Sequence, residues 1–146
     1  MKKIQDDVSG LKALGQVKTN YPDQVDPAVI EIFPNQFTNR DYQVNFSTSE
    51  FTSLCPVTGQ PDFGKINISY IPDKSCLESK SLKIYLFSYR NQPTFMETLV
   101  NRILDDLVAV CQPRRMTVMG DFSPRGGIGI EVKACYNSEN DLYLKK

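Results

Sequence analysis

Histidine is absent from the sequence of 146 residues. Without imidazole the chain cannot build a Ser-His-Asp or Cys-His hydrolytic centre, or a His-ligated zinc site. A Gly-x-Gly-x-x-Gly motif is also missing, which excludes a dinucleotide site of the Rossmann type. Any catalysis must therefore depend on Cys, Asp, Glu, Lys, Tyr or Ser side chains.

The chain carries no excess of either charge and no long apolar run. Lys and Arg together number 17, as do Asp and Glu, so the net charge is zero. Binding to nucleic acid or to an anionic membrane surface requires a basic excess, and a membrane helix requires about 20 apolar residues. The first ten residues, MKKIQDDVSG, lack the apolar core of a signal peptide. We therefore expect a cytoplasmic protein that contacts neither membrane nor nucleic acid directly.

The four cysteines are scattered along the chain and form no C-x-x-C pair. Cys55, Cys76, Cys111 and Cys135 are expected to be reduced thiols rather than a disulfide framework or a zinc ribbon. No metal site is predicted.

The length fits a single domain over residues 1–146. Within it we predict an N-terminal arm, a core and a polar tail, at residues 1–40, 41–133 and 134–146. A short helix is predicted in the arm near Pro27–Phe33, with Asp26 as its N-cap.

Alternating apolar residues predict four strands in the core. Strands are expected around Tyr42–Phe46 and Ile66–Tyr70, separated by a long loop, FTSLCPVTGQPDFG at 51–64. Two further strands, Met116–Phe122 and Ile128–Val132, are expected to be joined by an SPRGG turn.

Two helices are predicted between the two strand pairs. Helical spacing over Leu82–Tyr89 predicts the first, with Ser79 available as its cap, although a strand at KIYLF is also compatible with the sequence. The second helix is expected to begin at a Thr94–Glu97 capping box and to continue to Cys111, where Pro113 ends it.

The resulting order, ββααββ, predicts an α+β fold. Two antiparallel hairpins form one four-stranded sheet, and both helices cover one of its faces. We expect the other face to carry apolar and aromatic side chains that nothing in the chain covers. A sheet with an uncovered face and free edges is expected to associate with further copies of itself into a barrel.

Cys55 and Asp62 are the strongest candidates for covalent chemistry. A thiolate is the best nucleophile in this composition, and a carboxylic acid seven residues later could donate or accept a proton. Each also has a structural interpretation, Cys55 as a small half-buried apolar residue and Asp62 as a turn residue. Glu97 is either the capping partner of Thr94 or a carboxylate that accepts N–H donors from a purine-like ring.

Basic residues in two segments are candidates for binding phosphate groups. Lys80, Lys83 and Arg90 lie in the segment ESKSLKIYLFSYR, near the N-terminus of a predicted helix. Arg125 and Gly126 form the second segment, since glycine allows a ligand to approach the backbone. The structural interpretations are a solvated basic face and a plain hairpin turn.

These residues lie in motifs that resemble one known family, the single-domain 7-cyano-7-deazaguanine reductases, which are the nitrile reductases of queuosine biosynthesis. Five segments carry the resemblance: FPNQFTNRDY (33–42), FTSLCPVTGQPDFG (51–64), ESKSLKIYLFSYRN (78–91), VNRILDDL (100–107) and FSPRGGIGI (122–130). The pattern E-S-K-S-x-K-x-Y-x-x-x-x-R-N is highly specific to that family.

The resemblance implies the tunnelling fold, shared with GTP cyclohydrolase I, in which subunits close a barrel and the sites lie between chains. The family suggests a ring-like homo-oligomer of stacked pentamers. The implied reaction is the four-electron reduction of the nitrile of 7-cyano-7-deazaguanine to 7-aminomethyl-7-deazaguanine, which consumes two NADPH.

The resemblance also implies roles for single residues. Cys55 would attack the nitrile carbon and form a covalent thioimide, and Asp62 would supply a proton to the nitrogen. The remaining roles are substrate binding by Leu77, Glu78, Ser79, Met96 and Glu97, and NADPH binding by Ser79, Lys80, Arg125 and Gly126, with Lys83 and Arg90 as further candidates for its phosphates.

One position departs from the family pattern. The family usually has histidine directly before the substrate-binding glutamate, where this chain has Met96. A thioether cannot hydrogen-bond the ring or relay a proton, so weaker substrate binding, slower turnover or a changed substrate is expected.

Two other functions stay open at this point. An amidine-forming relative would add ammonia to the same nitrile without NADPH, but it should lack the lysines of the NADPH motif. A nitrile-binding assembly protein impaired by Met96 would bind the ligand without consuming NADPH. GTP cyclohydrolase I activity is not expected, because that enzyme needs a histidine-containing zinc site, which this chain cannot build.

Overall fold

The computed structural model of the chain describes residues 5–12 and 19–139. Its strands and helices are, in chain order, β1 (Ile32–Pro34), β2 (Val44–Leu54), β3 (Pro61–Ile71), β4 (Ser75–Leu77), α1 (Ser79–Phe87), α2 (Met96–Cys111), β5 (Arg115–Arg125) and β6 (Ile128–Asn137). Short 3-10 turns occur at Pro27–Val29 and Ser88–Asn91. No helix in the described residues is long and apolar enough to cross a membrane.

The predicted α+β core is confirmed. Strands β2, β3, β5 and β6 form one antiparallel sheet in that order, and β1 pairs with β4 in a separate two-stranded sheet. Helix α1 lies alongside β2, whereas α2 packs on β5 and β6. KIYLF is helical within α1, so its interpretation as a strand is wrong.

Apolar alternation in the central strands builds the core between sheet and helices. The contributing side chains are almost fully buried: Ile66, Ile68 and Tyr70 on β3, Met116 and Val118 on β5, and Leu99, Ile103 and Leu107 on α2. Gly120 permits the close packing of α2 on β5, because a Cβ atom there would lie only 2.8 Å from Val100 Cγ2.

The long loop predicted at 51–64 is wrong, because the first hairpin continues into it. β2 ends at Leu54 and β3 begins at Pro61, so the connection comprises only residues 55–60. A register shift between Thr48 and Phe51 lets the strand continue with Phe51 buried. Prolines and glycines suggested a loop here, but ladder pairing with the partner strand overrides that local preference.

The predicted boundaries at both ends of the chain also change. β6 continues to Asn137, so residues 134–137 belong to the sheet rather than to a polar tail, and the tail from residue 140 lies outside the described residues. The arm helix predicted near Pro27–Phe33 shrinks to the 3-10 turn, although Asp26 caps it as expected, accepting a bond from Ala28 N at 2.9 Å. Strands β1 and β4 were not predicted, because three residues are too few to show a period.

The face of the sheet away from the helices is mainly polar in the described chain, contrary to the expectation of an apolar face. It carries Lys65, Asn67 and Ser69 on β3, and Thr117 and Asp121 on β5, with few apolar side chains between them. Water can solvate such a face, so burial of this face is not what would drive association with another copy.

Candidate active site

Cys55 is the first residue after β2, and a short hydrogen-bonded loop holds it. Its N–H donates to the carbonyl of Gln60 at 2.8 Å, and its carbonyl accepts a bond from Gly59 N at 2.9 Å. Gly59 has a φ of +71°, a conformation that favours glycine. The loop therefore presents a partly exposed thiol at the end of a rigid hairpin.

The same loop favours the thiolate form of Cys55. The hydroxyl and backbone N–H of Thr58, together with the N–H of Val57, lower the pKa of the Cys55 thiol, while the charge of Asp62 opposes the effect. The Thr58 N–H lies 3.5 Å from the sulfur. Since the thiolate is the nucleophilic form, these donors make Cys55 a better nucleophile near neutral pH.

Asp62 is buried on the helix-covered face of the hairpin and pairs with a predicted cofactor residue. Its side chain is 6% exposed, and Arg125 Nη2 lies 2.8 Å from Oδ1. Arg125 also donates to Gln60 Oε1 at 3.2 Å and to the carbonyl of Pro61. Arg125, at the tip of the β5–β6 hairpin, therefore covers Asp62 at the start of β3.

Gly126 and Gly127 form the two-residue turn that follows Arg125, and the longer SPRGG turn is wrong. Their φ angles are +57° and +79°, as a tight hairpin turn requires. This geometry accounts for both glycines by itself. A contact between Gly126 and NADPH stays a prediction.

The segment before α2 is fastened beside Cys55, which brings Met96 and Glu97 towards the thiol. Leu54 N donates to Gln92 O, and Thr94 N donates to Leu54 O, both at 3.1 Å. Residues separated in sequence by about forty positions are thus joined at the end of β2. Met96 is partly buried against the core, and the side chain of Glu97 is exposed.

The capping box predicted for α2 is wrong. The N-cap is Phe95, which makes no side-chain capping bond, and the Thr94 hydroxyl donates to the carbonyl of Phe95 at 3.3 Å. Glu97 is therefore not the partner of Thr94. Of its two interpretations, the exposed carboxylate that could accept N–H donors from a ring is the one left.

Leu77, Glu78 and Ser79 lie at the start of α1, where Glu78 rather than Ser79 is the N-cap. The Glu78 carboxylate is buried and accepts bonds from Lys80 N at 2.8 Å and Ser81 N at 2.7 Å. The backbone donors that were expected to attract phosphate are thus already bound to a carboxylate. Phosphate binding at this helix would depend on the lysine side chains.

A cavity of about 300 Å³ lies between α1 and β2. Apolar side chains of both elements line it together with Ser79, Lys83 and polar residues of β2 that include Glu50. Lys83 is exposed and Lys80 partly buried. The mainly apolar lining suits a flat ring, and the cavity carries charges of both signs, Lys83 on α1 and Glu50 on β2.

Arg90 is bound within the chain. Its guanidinium donates to the carbonyls of Pro22 at 2.8 Å and Phe87 at 3.2 Å, and it pairs with Asp23 at 3.1 Å. It also stacks over the Phe87 ring at 4.6 Å. These contacts fasten the N-terminal arm to the end of α1, and the role of Arg90 in phosphate binding stays a prediction.

The expected site residues form two groups at opposite ends of β2. Cys55, Asp62, Met96, Glu97 and Arg125 surround the Leu54 end. Leu77 N is bonded to the Tyr70 hydroxyl, and Tyr70 pairs with Val44 at the other end. The helical stretch from Ser79 to Asn91 lies between the groups and spans about 20 Å. One substrate molecule cannot contact both groups of a single chain.

Exposed apolar side chains gather at the Cys55 end. They are Val57 in the loop (79% exposed), Phe63 on β3 (58%), Phe95 before α2 (58%) and Ile128 beside the hairpin turn (70%). Large exposed apolar side chains concentrated around reactive groups indicate a surface that another molecule covers.

Two residues next to the nucleophile were not predicted from the sequence, Thr58 and Ser53. Ser53 is the cross-strand partner of Asp62 and is fully buried. The position of Ser53 opposite Asp62 becomes apparent only once the hairpin is known to continue through residues 51–64.

Within residues 5–12 and 19–139, no group of three or more Cys, Asp or Glu side chains is arranged to hold a metal ion.

Known proteins resemble this chain over almost its whole length. A family model described as "QueF-like protein" matches residues 61–141. The NADPH-dependent 7-cyano-7-deazaguanine reductase of Streptococcus mutans is 51% identical over 139 residues, covering 95% of this chain and 86% of that protein. The reductase of that name from Bacillus subtilis is 50% identical over 141 residues, covering 97% and 86%.

A solved structure is also similar. The archaeosine synthase QueF-Like in its apo form superposes with a TM-score of 0.62 at 26% identity, covering 66% of this chain and 94% of that one. The likeness confirms the tunnelling fold that the sequence resemblance implied.

Proposed function

The chain belongs to the QueF-like family of 7-cyano-7-deazaguanine reductases, and from this premise we propose that it reduces the nitrile of 7-cyano-7-deazaguanine to the primary amine at the expense of two NADPH. The observation that carries the proposal is the pairing of a thiol of lowered pKa, Cys55, with a buried acid, Asp62, at the end of one hairpin. Relatives about 50% identical are named NADPH-dependent reductases, whereas the archaeosine synthase is 26% identical. This difference favours the reductase over the amidine-forming alternative.

The first step is the addition of the Cys55 sulfur to the nitrile carbon. The Sγ–C bond forms, one π pair of the nitrile moves to nitrogen, and Asp62 passes the proton released by the Cys55 thiol to that nitrogen, which gives a neutral thioimide. A nitrile is a poor hydride acceptor and a thioimide is a better one, so the covalent step divides one difficult reduction into easier ones. The thiolate-favouring donors of the loop support Cys55 as the nucleophile.

NADPH, when bound, supplies the two hydrides that reduce the carbon first attached to Cys55. We propose that Ser79, Lys80 and Lys83 hold it along the cavity beside α1, with Arg125 and Gly126 contributing from the hairpin. Lysine and arginine side chains bind phosphate groups as charge-assisted donors. Arg90 is a weaker candidate, because its donors are already bound to the arm. Arg125 would likewise have to exchange its contacts with Gln60 and Pro61 for the cofactor.

Each active site is completed by a second copy of the chain. The nucleophile and Glu97 would come from one subunit, and Leu77, Glu78 and Ser79 from its neighbour, since about 20 Å of helix separates them within one chain. The exposed apolar side chains around Cys55 would be buried in this interface and would exclude water. Exclusion of water matters because a thioimide or an imine would otherwise hydrolyse. We propose a ring-like homo-oligomer, stacked pentamers being the arrangement the family suggests.

The exposed carboxylate of Glu97 binds the substrate ring, and the neighbouring subunit contributes its segment from Leu77 to Ser79, in which the Glu78 carboxylate caps α1. A deazaguanine ring presents adjacent N–H donors, which a carboxylate accepts in pairs. Met96 lies beside Glu97 and has no hydrogen-bonding group, so the hydrogen bond to the ring that histidine would make at this position is missing.

The neutral chain is not suited to direct binding of nucleic acid, and the four free thiols suit a reducing cytoplasm.

The proposal is tested by a nitrile-dependent NADPH oxidation assay on the purified protein, with the product identified by mass spectrometry. Wild type is expected to consume two NADPH for each nitrile reduced, and Cys55→Ala none. Cys135→Ala, which removes an exposed thiol on β6, is the matched control and should retain wild-type activity. NADPH consumption that does not require the nitrile, or a fully active Cys55→Ala variant, would contradict the proposal.

A further inference from the structure

Ser53 lies directly opposite Asp62 in the β2–β3 ladder, on the face that the helices cover. The Cβ atoms of such cross-strand partners are about 4.5–5.5 Å apart. Ser53 is 0% exposed and Asp62 6% exposed. A serine hydroxyl and a carboxyl group therefore share one enclosed space, two residues before the nucleophile.

The hydroxyl of Ser53 has no hydrogen-bond partner within residues 5–12 and 19–139, the only buried side-chain oxygen or nitrogen there of which this is true. Buried hydroxyls are nearly always paired, because an unpaired one has lost its hydration without replacement. The unpaired Ser53 hydroxyl lies beside the reacting groups, which indicates that it gains a hydrogen-bond partner at another stage of the reaction.

The partner that Asp62 has in this structure suits its charged form best. Arg125 Nη2 contacts Oδ1 at 2.8 Å. A guanidinium binds a carboxylate more strongly than a neutral carboxyl group, because the bond to a carboxylate joins opposite charges. A neutral hydroxyl such as that of Ser53 can instead donate to the carbonyl oxygen of the acid while the acid carries a proton.

We propose that Ser53 is the positioning residue for protonated Asp62. The Ser53 hydroxyl donates to the carbonyl oxygen of the neutral carboxyl group, and the acid O–H is thereby directed at the nitrile nitrogen. When the Cys55 sulfur bonds to carbon, the proton passes to nitrogen, and the carboxylate left behind is bound by Arg125. The inference rests on the proposed function and gives Ser53 no contact with the substrate.

The test measures the rate constant of thioimide formation from the nitrile without NADPH, followed by mass spectrometry of the adduct. Ser53→Ala is expected to slow adduct formation at least tenfold, since positioned proton transfer contributes about 10²–10⁴-fold to rates. Its melting temperature is expected not to fall, because no hydrogen bond of the resting protein is lost. Nitrile affinity, compared between Cys55→Ala and the Cys55→Ala/Ser53→Ala double variant, is expected to be equal.

Two further comparisons separate positioning from packing. Ser53→Thr keeps the hydroxyl and is expected to restore most of the rate constant, and in an Asp62→Asn background Ser53→Ala is expected to have no effect. Ser69→Ala, on the polar face of β3, is the control with a wild-type rate.

An unchanged rate constant in Ser53→Ala would overturn the role of Ser53 alone, as would equal slowing in the wild-type and Asp62→Asn backgrounds. A wild-type chain that forms no adduct would overturn the proposed function, and the role of Ser53 with it.

Discussion

The reactivity of Cys55 depends at the residue scale on Thr58, three positions along the same loop. Because the Thr58 hydroxyl is the largest contributor to the lowered pKa of the thiol, Thr58→Val is expected to raise that pKa. Less thiolate is then present at a given pH, so the midpoint of the pH profile for alkylation by iodoacetamide should move upwards.

Thr58→Ser keeps the donor and is the matched control for this substitution. It is expected to leave the alkylation midpoint where it is in the wild type. A Thr58→Val variant with an unchanged midpoint would show that the backbone N–H groups alone set the pKa of Cys55.

Met96 is the second residue whose chemistry decides a rate. Met96→His restores a hydrogen-bonding group beside Glu97, and one such bond contributes about 0.5–1.5 kcal/mol. We expect kcat/KM for the nitrile to rise roughly two- to tenfold, measured by NADPH oxidation. Met96→Leu keeps the packing against the core without a polar group and should give no gain. An equal gain from both substitutions would mean that volume, not hydrogen bonding, limits the rate.

The attachment of the arm to α1 depends, at the scale of elements, on Arg90. Arg90→Ala removes two hydrogen bonds to carbonyls and the stacking on Phe87, and is expected to lower the free energy of unfolding by about 1–2 kcal/mol. Asp23→Asn removes only a partner that is 91% exposed, so a loss below about 1 kcal/mol is expected. Denaturant unfolding measures both.

The same variant distinguishes the two roles of Arg90. If Arg90→Ala keeps its stability but raises KM for NADPH, the guanidinium serves the cofactor rather than the arm. A stability loss with KM unchanged is the result that the contacts to Pro22 and Phe87 favour.

Helices were easier to predict than strand ends, for a physical reason. The apolar face of α2 repeats over four turns and was placed to within two residues at its start and correctly at Cys111. β2 and β3 continue through a segment rich in proline and glycine because each supplies the other's hydrogen bonds. Such pairing is a property of two segments together, which neither segment reveals by itself.

Sharing of the site between chains is the prediction at the scale of the whole molecule. Cys55→Ala and Glu78→Ala remove groups from opposite ends of β2, and each homogeneous oligomer should be impaired. When the two variants are unfolded, mixed in equal amounts and refolded together, one site in four receives an intact Cys55 and an intact Glu78, so about a quarter of wild-type activity is expected.

Refolding each variant separately and mixing them afterwards is the control, because subunits of closed rings exchange slowly. Activity that does not recover in the co-refolded mixture, with assembly verified by sedimentation, would place each site within one chain.

The amino-acid sequence alone determined the ββααββ order of the four-stranded sheet and its helices, the chemical classes of the residues and the family, because apolar periods and the motifs around Cys55 and Glu78 are local. Only the tertiary structure decided that Ser53 faces Asp62, that Arg125 closes over that acid, that Glu78 caps α1, and that the predicted site residues divide into two groups. These relations depend on strand register and on which segments meet across the sheet. Register comes from the packing of the whole chain, so no single stretch of sequence contains it.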